Sequence, residues 1–371
     1  MPEIVLKNVT KRWKKFVGVD HLNLSIPDRA FITLLGPSGC GKTTTLRMIA
    51  GLETPTEGEI WIGGTCVFDS VSGINIPPSK RNVGFLFQNY ALWPHMTAYQ
   101  NIAFGLENLK WKKNDVKARV DELASMLKIE QFLHRYPSEL SGGQQQRVAI
   151  ARTLAPRPQI LFMGEPLSNL DAKLRLEMRT ELKRLHATTN STFVYVTHDQ
   201  LEAMTLATHV CLLKEGVVQQ YDSPLKVYAH PSNLFVADFV GSPAMNLIAA
   251  ENPKLNEDGD VDFSLKDLKM HFVPNNPIEK MPEHLTIGIR PENIRIVAEG
   301  KGPVSKIYSS LPSGMETTVR LDLDGTILTS VVFGIIDFPI GGEVPLNFFG
   351  KGILAFDSTT GRLIGEGVLK I

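Results

Sequence analysis

The sequence predicts an α/β core that contains a helical insert and is followed by a separate, mostly β domain. Short apolar strands alternate with helical segments up to about residue 240, as they do in α/β domains. Between about residues 89 and 154 the pattern becomes mostly helical. After Gly241-Ser242-Pro243 the helical pattern largely disappears, and strand-like runs alternate with turn signals. We therefore predict a first domain at 1–240 and a second at 241–371.

The strands in the first part of the core are predicted from their periodicity. Residues 4–9 and 22–26 alternate between apolar and polar side chains, which is typical of half-buried strands. Residues 31–35 are mostly apolar and lead into a glycine-rich turn. Residues 58–62 and 83–87 continue the β pattern before the insert begins.

The insert and the second part of the core carry helical periodicity. Apolar residues at i, i+4, i+7 and i+11 predict an amphipathic helix in the insert, namely Val116, Val120, Leu123 and Leu127. The α/β pattern then returns with a strand at 159–163, a helix at 172–186 and a strand at 192–196. One apolar face of that helix is formed by Leu174, Met178, Leu182 and Leu185.

The second domain shows the pattern of a small barrel. Strand-like runs occupy residues 285–289, 344–348 and 353–356. Turn signals separate such runs at Ser313-Gly314, Asp324-Gly325 and Thr360-Gly361.

Composition excludes several classes of protein. The 371 residues include 39 Lys+Arg and 39 Asp+Glu, so there is no basic excess for wrapping nucleic acid. No apolar run approaches the length of a membrane span, so we expect no membrane-spanning helix. The start, Met1-Pro2-Glu3-Ile4, lacks the charged-then-apolar form of a signal peptide. Cys40, Cys66 and Cys211 are widely spaced, which fits a reduced cytosol rather than a disulfide framework, and the nine histidines form no zinc-like cluster.

The strongest chemical signal is the stretch Gly36-Pro37-Ser38-Gly39-Cys40-Gly41-Lys42-Thr43, which follows the apolar strand 31–35. Such a loop directs several backbone N–H groups to one point, and the dipole of the helix that starts near Lys42 adds to the anion site. Lys42 is expected to bridge the β- and γ-phosphates of ATP, and the Thr43 hydroxyl to ligate Mg²⁺. The alternative is a glycine turn that contains a lysine by chance.

A second glycine-rich turn, Leu140-Ser141-Gly142-Gly143-Gln144, also opens a helix. A helix N-terminus of this kind is able to hold phosphate. One chain that carries both motifs indicates an ATPase that works as a dimer, in which each chain completes the site of the other.

Three further candidates stand where predicted strands end, which is where open α/β sheets place their sites. Glu165 follows strand 159–163 and is a candidate to orient or deprotonate the attacking water. His198 follows strand 192–196 and is a candidate to reach the γ-phosphate, and Gln88 follows strand 83–87 and is a candidate to position water or metal. Without the glycine-rich loop, each of them singly would be equally well explained as a polar cap. Three such residues on strands of the sheet that carries the loop favour a functional site.

Together these residues resemble the ATPase subunit of an ABC transporter over the first 240 residues. The matching features are Trp13 (adenine platform), Gly36 to Thr43 (Walker A), Gln88 (Q-loop), Leu140 to Gln144 (signature), Glu165 (catalytic glutamate), Ser168-Asn169-Leu170-Asp171 (D-loop) and His198 (switch histidine). The resemblance implies a P-loop NTPase fold, with a RecA-like core and a helical insert, and catalytic roles for Glu165, His198, Gln88 and Lys42. It implies Mg²⁺ ligation by Thr43 and Gln88, and ATP contacts from Trp13, Gly36, Pro37, Ser38, Gly39, Cys40, Gly41, Lys42, Thr43, Thr44, Ser141, Gly142, Gly143, Gln144 and Asp171.

Two of these assignments have alternatives. Trp13 lies among four basic residues, so it also fits a surface tryptophan that is half-covered by lysine stems in a solvated turn. Cys40 fits a small residue tolerated in the loop better than a nucleophile.

The resemblance extends to one group of importers. Residues 88–97 resemble importers of sugars, polyamines and related solutes. Gly241-Ser242-Pro243-Ala244-Met245-Asn246 and Gly288-Ile289-Arg290-Pro291-Glu292 resemble the maltose-type carbohydrate importers, whose C-terminal domain is an OB-like regulatory barrel. The resemblance implies a homodimer at the cytoplasmic face of the membrane that drives permease subunits and, indirectly, serves an external solute-binding protein. Alternatives are another solute such as a polyamine, or a soluble ABC ATPase of DNA repair or translation.

One position departs from the family. The family usually has Asp-Glu-Pro after the Walker B strand, whereas this chain has Gly164-Glu165-Pro166. Loss of a carboxylate that supports Mg²⁺ typically reduces metal affinity or activity about 10–100-fold. We therefore predict nucleotide binding with reduced Mg²⁺ dependence and slow hydrolysis, or a weakly hydrolysing regulatory subunit. The alternative is that Thr43 and the phosphates hold Mg²⁺ well enough, since the ion keeps most of its waters.

Overall fold

The computed structural model describes residues 3–168, 170–297 and 302–371. Met1, Pro2 and Asn169, on which parts of the sequence interpretation depend, lie outside the described residues.

The chain divides into two compact units, Met1–Pro224 and Leu225–Ile371. The sequence places the boundary later, at residue 240. Residues 225–240 group with the second unit, where Ala237 packs in one buried apolar cluster with Met245 and Phe356.

The first unit contains two sheets. Its strands are β1 (Ile4–Trp13), β2 (Phe16–Ile26), β3 (Phe31–Leu35), β4 (Glu57–Ile62), β5 (Thr65–Asp69), β6 (Ile74–Asn75), β7 (Val83–Leu86), β8 (Ile160–Gly164), β9 (Thr192–Val196), β10 (His209–Lys214) and β11 (Val217–Asp222). An antiparallel sheet has the order β2-β1-β4-β5-β6. The other sheet has the order β11-β10-β3-β9-β8-β7, and its strands are parallel from β10 to β7.

The described residues form the α-helices α1 (Lys42–Ala50), α2 (Ala98–Asn108), α3 (Lys113–Leu127), α4 (Gly142–Leu154), α5 (Ala172–Thr188), α6 (Gln200–Leu206), α7 (Pro224–Ala229) and α8 (Leu234–Phe239). The predicted helix of the insert is α3, and all four of its predicted apolar residues are buried. None of the helices formed by the described residues combines the length and the apolar character needed to cross a membrane.

The helix after the glycine-rich loop is anchored at its C-terminal end. α1 ends at Gly51, whose φ of 81° lies in the left-handed region that favours glycine. The buried Arg81 Nη1 donates to the carbonyls of Met48 (2.9 Å) and Ile49 (2.8 Å), and its Nε donates to Ile76 (2.7 Å). Burial lowers the pKa of Arg81 to about 10, so the guanidinium is charged at neutral pH. A cation at a helix C-terminus is favourable, and Arg81 therefore ties α1 to the start of β7.

After α7 and α8 the second unit is built from β-strands, as predicted for residues 241–371. Its strands are β12 (Asn246–Leu255), β13 (Val261–Leu265), β14 (Leu268–Pro274), β15 (Leu285–Ile289), β16 (Ile294–Ile296), β17 (Val304–Pro312), β18 (Glu316–Leu323), β19 (Thr326–Phe333), β20 (Glu343–Phe348), β21 (Ile353–Asp357) and β22 (Leu363–Lys370). The strands β12-β13-β14-β22-β21-β15 close into a barrel, which confirms the predicted architecture. A further sheet, β16-β20-β17-β18-β19, was not expected, and its buried residues belong to the same core as those of the barrel.

Candidate nucleotide site

The glycine-rich loop lies at the carboxyl end of β3, and its glycines adopt conformations that other residues rarely take. Gly36, Gly39 and Gly41 have φ values of 146°, 81° and 100°. A Cβ at Gly36 would lie 2.2 Å from the Leu213 carbonyl oxygen, and a Cβ at Gly41 would lie 2.5 Å from that of Gly18. At Gly39 no described atom lies within 4 Å of such a Cβ. The loop is thus held by neighbouring backbone on one side and open at Gly39 on the other.

Lys42 occupies the centre of this loop. The residue is buried, and its Nζ donates to the carbonyls of Gly36 (2.7 Å) and Pro37 (2.8 Å). The Cys40 sulfur lies 3.7 Å from the same Nζ. Thr43, in the first turn of α1, is exposed. The loop therefore brings a charged ammonium, the backbone N–H groups of a helix N-terminus and an accessible hydroxyl to one place.

The loop borders a cleft of about 410 Å³. This volume is within the usual range for small-molecule sites. The cleft is lined by Trp13, Phe16, Gly18, Ser38, Gly39, Cys40, Gly41, Lys42, Thr43, Thr44, Glu165 and His198. The structure therefore brings together the predicted aromatic residue, most of the glycine-rich loop and two of the predicted strand-end residues.

An aromatic pair stands at one side of the cleft. The rings of Trp13 and Phe16 are stacked, with centroids 6.2 Å apart and an interplanar angle of 22°. The sequence predicts that the basic residues around Trp13 are solvated, and for Lys11 this prediction is wrong. The Lys11 Nζ forms a 2.6 Å ion pair with Glu53 and lies 5.2 Å from the centroid of the Trp13 ring. Phe16 was missed by the sequence interpretation, although an apolar ring three residues after Trp13 on the same hairpin was a usable signal.

Glu165 and His198 also line the cleft, where their side chains meet. The His198 Nδ1 lies 3.4 Å from the Glu165 Oε2. Glu165 has a φ of 49°, a left-handed conformation that costs about 1–2 kcal/mol for a residue with a Cβ. Its backbone N–H donates to the Val196 carbonyl (3.1 Å), so β9 holds this strained turn. Backbone strain of this kind is typical of functional positions.

Gln88 lies one contact further from the cleft. It is exposed, and its Nε2 donates to the Ser168 Oγ at 3.3 Å. Ser168 in turn donates to the Glu165 carbonyl at 2.9 Å. The strand order explains this position, since β7 is separated from β3 by β9 and β8.

A buried polar network lies behind His198 and was missed by the sequence interpretation. The hydroxyls of Tyr195 and Thr197 each donate to the Glu202 Oε2 at 2.7 Å. Burial and the Glu202 carboxylate raise the pKa of Tyr195 well above its usual value. Arg175 Nη2 donates to the Leu170 carbonyl at 3.0 Å, and its Nε lies 4.0 Å from Glu202. The network supports the backbone on both sides of His198.

The second glycine-rich turn caps α4 and does not line the cleft of its own chain. Ser141 Oγ accepts from the Gln144 N–H (3.5 Å), and Gln144 Oε1 accepts from the Ser141 N–H (2.9 Å). A Cβ at Gly143 would lie 2.5 Å from the Leu174 Cδ2, so a larger residue there requires the Leu174 side chain to move. Asp171 likewise caps α5, accepting from the Leu174 N–H at 2.9 Å. The roles of these residues toward ATP stay predictions.

Gly164 ends β8 next to Glu165 and has an ordinary backbone conformation. A Cβ there would meet the Leu46 Cδ2 and the Leu86 carbonyl oxygen at 3.9 Å, which is normal contact. Within the described residues no group of three or more His, Cys, Asp or Glu is placed to hold a metal ion. The residues predicted to face Mg²⁺ are thus a hydroxyl, Thr43, which lines the cleft, and an amide, Gln88, which does not.

Comparison with known proteins agrees with this geometry. Residues 19–168 match the ABC transporter family. The chain is 43% identical over 374 residues to the trehalose/maltose import ATP-binding protein MalK of Thermococcus litoralis, with 98% of this chain and 100% of the relative covered. It is 41% identical over 369 residues to the oligosaccharides import ATP-binding protein MsmX of Bacillus subtilis, covering 97% and 99% of the two chains.

A solved structure is similar to part of this chain. It is the dimeric, post-hydrolysis state of an ATP-binding cassette bound to ADP and Pi, which is 35% identical with a TM-score of 0.52. The match covers 60% of this chain and 98% of that one. With these relatives and the cleft at the ends of β3, β8 and β9, this chain belongs to the ATP-binding subunits of ABC transporters, in the group of maltose-type importer ATPases, which hydrolyse ATP to drive transport.

Proposed function

We propose that this chain is the ATP-hydrolysing motor subunit of an importer for a carbohydrate. The observation that carries the proposal is a single cleft that contains the glycine-rich loop, an aromatic pair and the Glu165–His198 pair. The two relatives described above are named for the import of trehalose, maltose or oligosaccharides, which supports a sugar as the solute.

Each side of the cleft has a separate task in this proposal. The Trp13 and Phe16 rings hold the adenine by stacking, which contributes about 1–3 kcal/mol per base in comparable sites. The Lys42 ammonium exchanges the Gly36 and Pro37 carbonyls for phosphate oxygens as the loop N–H groups close around them. When bound, Mg²⁺ neutralises phosphate charge, and Thr43 and Gln88 would hold it.

Glu165 and His198 act on the reacting end of ATP. Glu165 orients the attacking water and accepts its proton, and His198, held beside it, donates to the charge that develops on the γ-phosphate. The rigid attachment of Glu165 to β9 places the carboxylate before the substrate arrives.

The proposed working unit is a homodimer at the cytoplasmic face of the membrane. The turn 141–144 has an exposed N-cap and lies outside the cleft of its own chain, so it is available to close on the ATP of a partner chain. The similar cassette bound to ADP and Pi is itself dimeric. We further propose that the surface around residues 90–104 contacts a membrane permease that works with an external solute-binding protein.

Gly164 favours slow hydrolysis within this function. Without a carboxylate at the end of β8, this chain supports the metal mainly through Thr43, Gln88 and the phosphates themselves. A regulatory subunit that binds ATP and hydrolyses it weakly is therefore the second candidate function.

The test is transport by a reconstituted complex. The permease that copurifies with the chain is placed in liposomes with ATP on the side of this subunit, and uptake of labelled maltose and of a labelled polyamine is compared. ATP-dependent maltose uptake that is lost in Glu165→Gln supports the proposal. Failure to copurify a permease, or polyamine uptake alone, would refute the carbohydrate importer, and a complex that binds ATP without measurable turnover would identify the regulatory subunit.

A further inference from the structure

The segment from Gln88 to Trp93 has an unusual backbone. Tyr90 and Ala91 are consecutive residues in the left-handed region, with φ values of 59° and 48°. Residues with a Cβ adopt this region at a cost, and for a bulky residue it is a genuine outlier. The Tyr90 hydroxyl is also buried and has no hydrogen-bond partner among the described residues. Such a segment persists only where surrounding groups hold it.

Arg152 binds the two strained residues of this segment, and Asn101 binds the backbone of Trp93 at its end. The Arg152 Nη1 donates to the Ala91 carbonyl at 2.6 Å and its Nη2 donates to the Tyr90 carbonyl at 2.7 Å. The guanidinium carbon lies 4.8 Å from the centroid of the Trp93 ring, which packs on Phe104 at 4.4 Å. Burial lowers the pKa of Arg152. One planar cation thus binds both strained carbonyls and stacks on the ring that ends the segment.

Arg152 is in the last turn of α4, the helix that the 141–144 turn opens. A helix of this length is a rigid rod of roughly 20 Å. The segment that Arg152 binds begins with Gln88. Gln88 donates to the Ser168 hydroxyl, which in turn donates to the Glu165 carbonyl. Arg152 therefore links the helix that carries the second glycine-rich turn to the segment that begins with Gln88, the residue predicted to position water or metal.

We infer that Arg152 is a positioning residue. By binding the strained segment 88–93 to α4, it fixes the position of Gln88 relative to Ser168 and Glu165. The inference rests on the proposed function, since it concerns how Gln88 is presented to the nucleotide site. Arg152 itself touches neither the cleft lining nor the predicted reacting atoms.

Hydrogen exchange of the full chain, without nucleotide, tests directly whether Arg152 holds the segment. Arg152→Met removes both hydrogen bonds, and we expect amide exchange in residues 88–93 to rise about 5- to 30-fold. Arg152→Lys, whose single ammonium does not reproduce the planar contact, gives a smaller rise. Arg184→Met is the matched control, because this arginine also donates to a backbone carbonyl, that of Met126, from a neighbouring helix.

Hydrolysis kinetics test the positioning role. Arg152→Met is expected to lower kcat about tenfold, with the KM for ATP changed less than about twofold. Ala91→Gly, added to Arg152→Met, removes the penalty for the left-handed conformation and should restore much of both the protection and kcat. A general loss of stability would not be repaired at this one residue.

Several outcomes overturn the inference. They are unchanged exchange at 88–93 in Arg152→Met, an equal rise in Arg184→Met, or a rise spread evenly over β3, β8 and β9. A loss of kcat that Ala91→Gly does not restore would also overturn it. If the chain does not bind or hydrolyse ATP, the proposed function fails, and the exchange measurements without nucleotide still decide whether Arg152 holds the segment.

Discussion

Replacing Gly164 by Asp should accelerate ATP hydrolysis and lower the Mg²⁺ concentration that it requires. The residue ends β8, and an added Cβ makes only ordinary contacts, at 3.9 Å, with Leu46 and the Leu86 carbonyl. Leu46 follows Thr43 by three residues in α1, so the two side chains share one face of that helix. A carboxylate at position 164 therefore lies beside α1, the helix whose first turn carries the Thr43 hydroxyl predicted to meet the metal.

The size of the effect follows from what such a group supplies. A residue that supports a metal site typically changes metal affinity or activity about 10–100-fold, which corresponds to about 1.4–2.7 kcal/mol. Since Gly164 does not have a positive φ, the substitution adds no backbone strain, and it removes some conformational freedom from the unfolded chain. We therefore expect a gain in kcat without loss of folding stability.

The assay is steady-state phosphate release as a function of Mg²⁺ at saturating ATP. Gly164→Ala, which fills the same space without a ligand, should leave the Mg²⁺ dependence unchanged, and Gly164→Asn should have a smaller effect than Asp. The reasoning is refuted if Gly164→Asp leaves both kcat and the Mg²⁺ midpoint unchanged, or if Gly164→Ala gains as much.

Three further predictions concern single side chains. Glu165→Gln removes the proton acceptor beside His198 and should lower hydrolysis by about 10²–10⁴-fold while ATP still binds, which phosphate release and nucleotide titration will measure. Trp13→Ala removes the larger ring of the aromatic pair and should weaken ATP binding by about 5- to 150-fold in calorimetric titration, because stacking contributes about 1–3 kcal/mol. Arg81→Met leaves the carbonyls at the end of α1 unpaired, and it should lower the free energy of unfolding in urea by about 3 kcal/mol, since each unpaired group costs about 1–3 kcal/mol.

Each of these predictions has a control on the same chain. Glu177→Gln changes an exposed glutamate of α5 and should keep full hydrolysis. Trp13→Phe retains a ring and should lose less affinity than Trp13→Ala, so equal losses would argue against stacking. Lys117→Met breaks the exposed pair with Asp121 and should change stability by less than about 1 kcal/mol, and an Arg81→Met variant that is equally mild would contradict the role of Arg81.

Local sequence was sufficient for the elements that carry the site. The predicted strands 31–35, 192–196 and 285–289 agree with Phe31–Leu35, Thr192–Val196 and Leu285–Ile289, and α1 starts at the predicted Lys42. These elements are marked by short-range signals, namely apolar runs, glycines that need a positive φ, and a helix that starts at the end of a loop. Such signals act within a few residues and are therefore visible in the sequence.

Other features depend on residues that are distant in the chain. The order β3-β9-β8-β7, which puts Glu165 and His198 at the cleft and Gln88 one contact away, depends on hydrogen bonding between strands far apart in sequence. The same is true of the sheet β16-β20-β17-β18-β19, of the Glu202 network, and of the Arg152 contacts with residues 90 and 91.

By itself, the sequence predicted a nucleotide site at Gly36 to Thr43 and an all-β domain after the core, and it placed Gly164 where the family resemblance predicts an acid. The tertiary structure decided which of the predicted residues share one cleft, and it revealed that Phe16 joins Trp13 there. It also decided that an arginine of α4 holds the strained segment after Gln88. The physical reason is that a loop's backbone conformation follows from its own residues, whereas side chains meet only after packing has brought separate elements together.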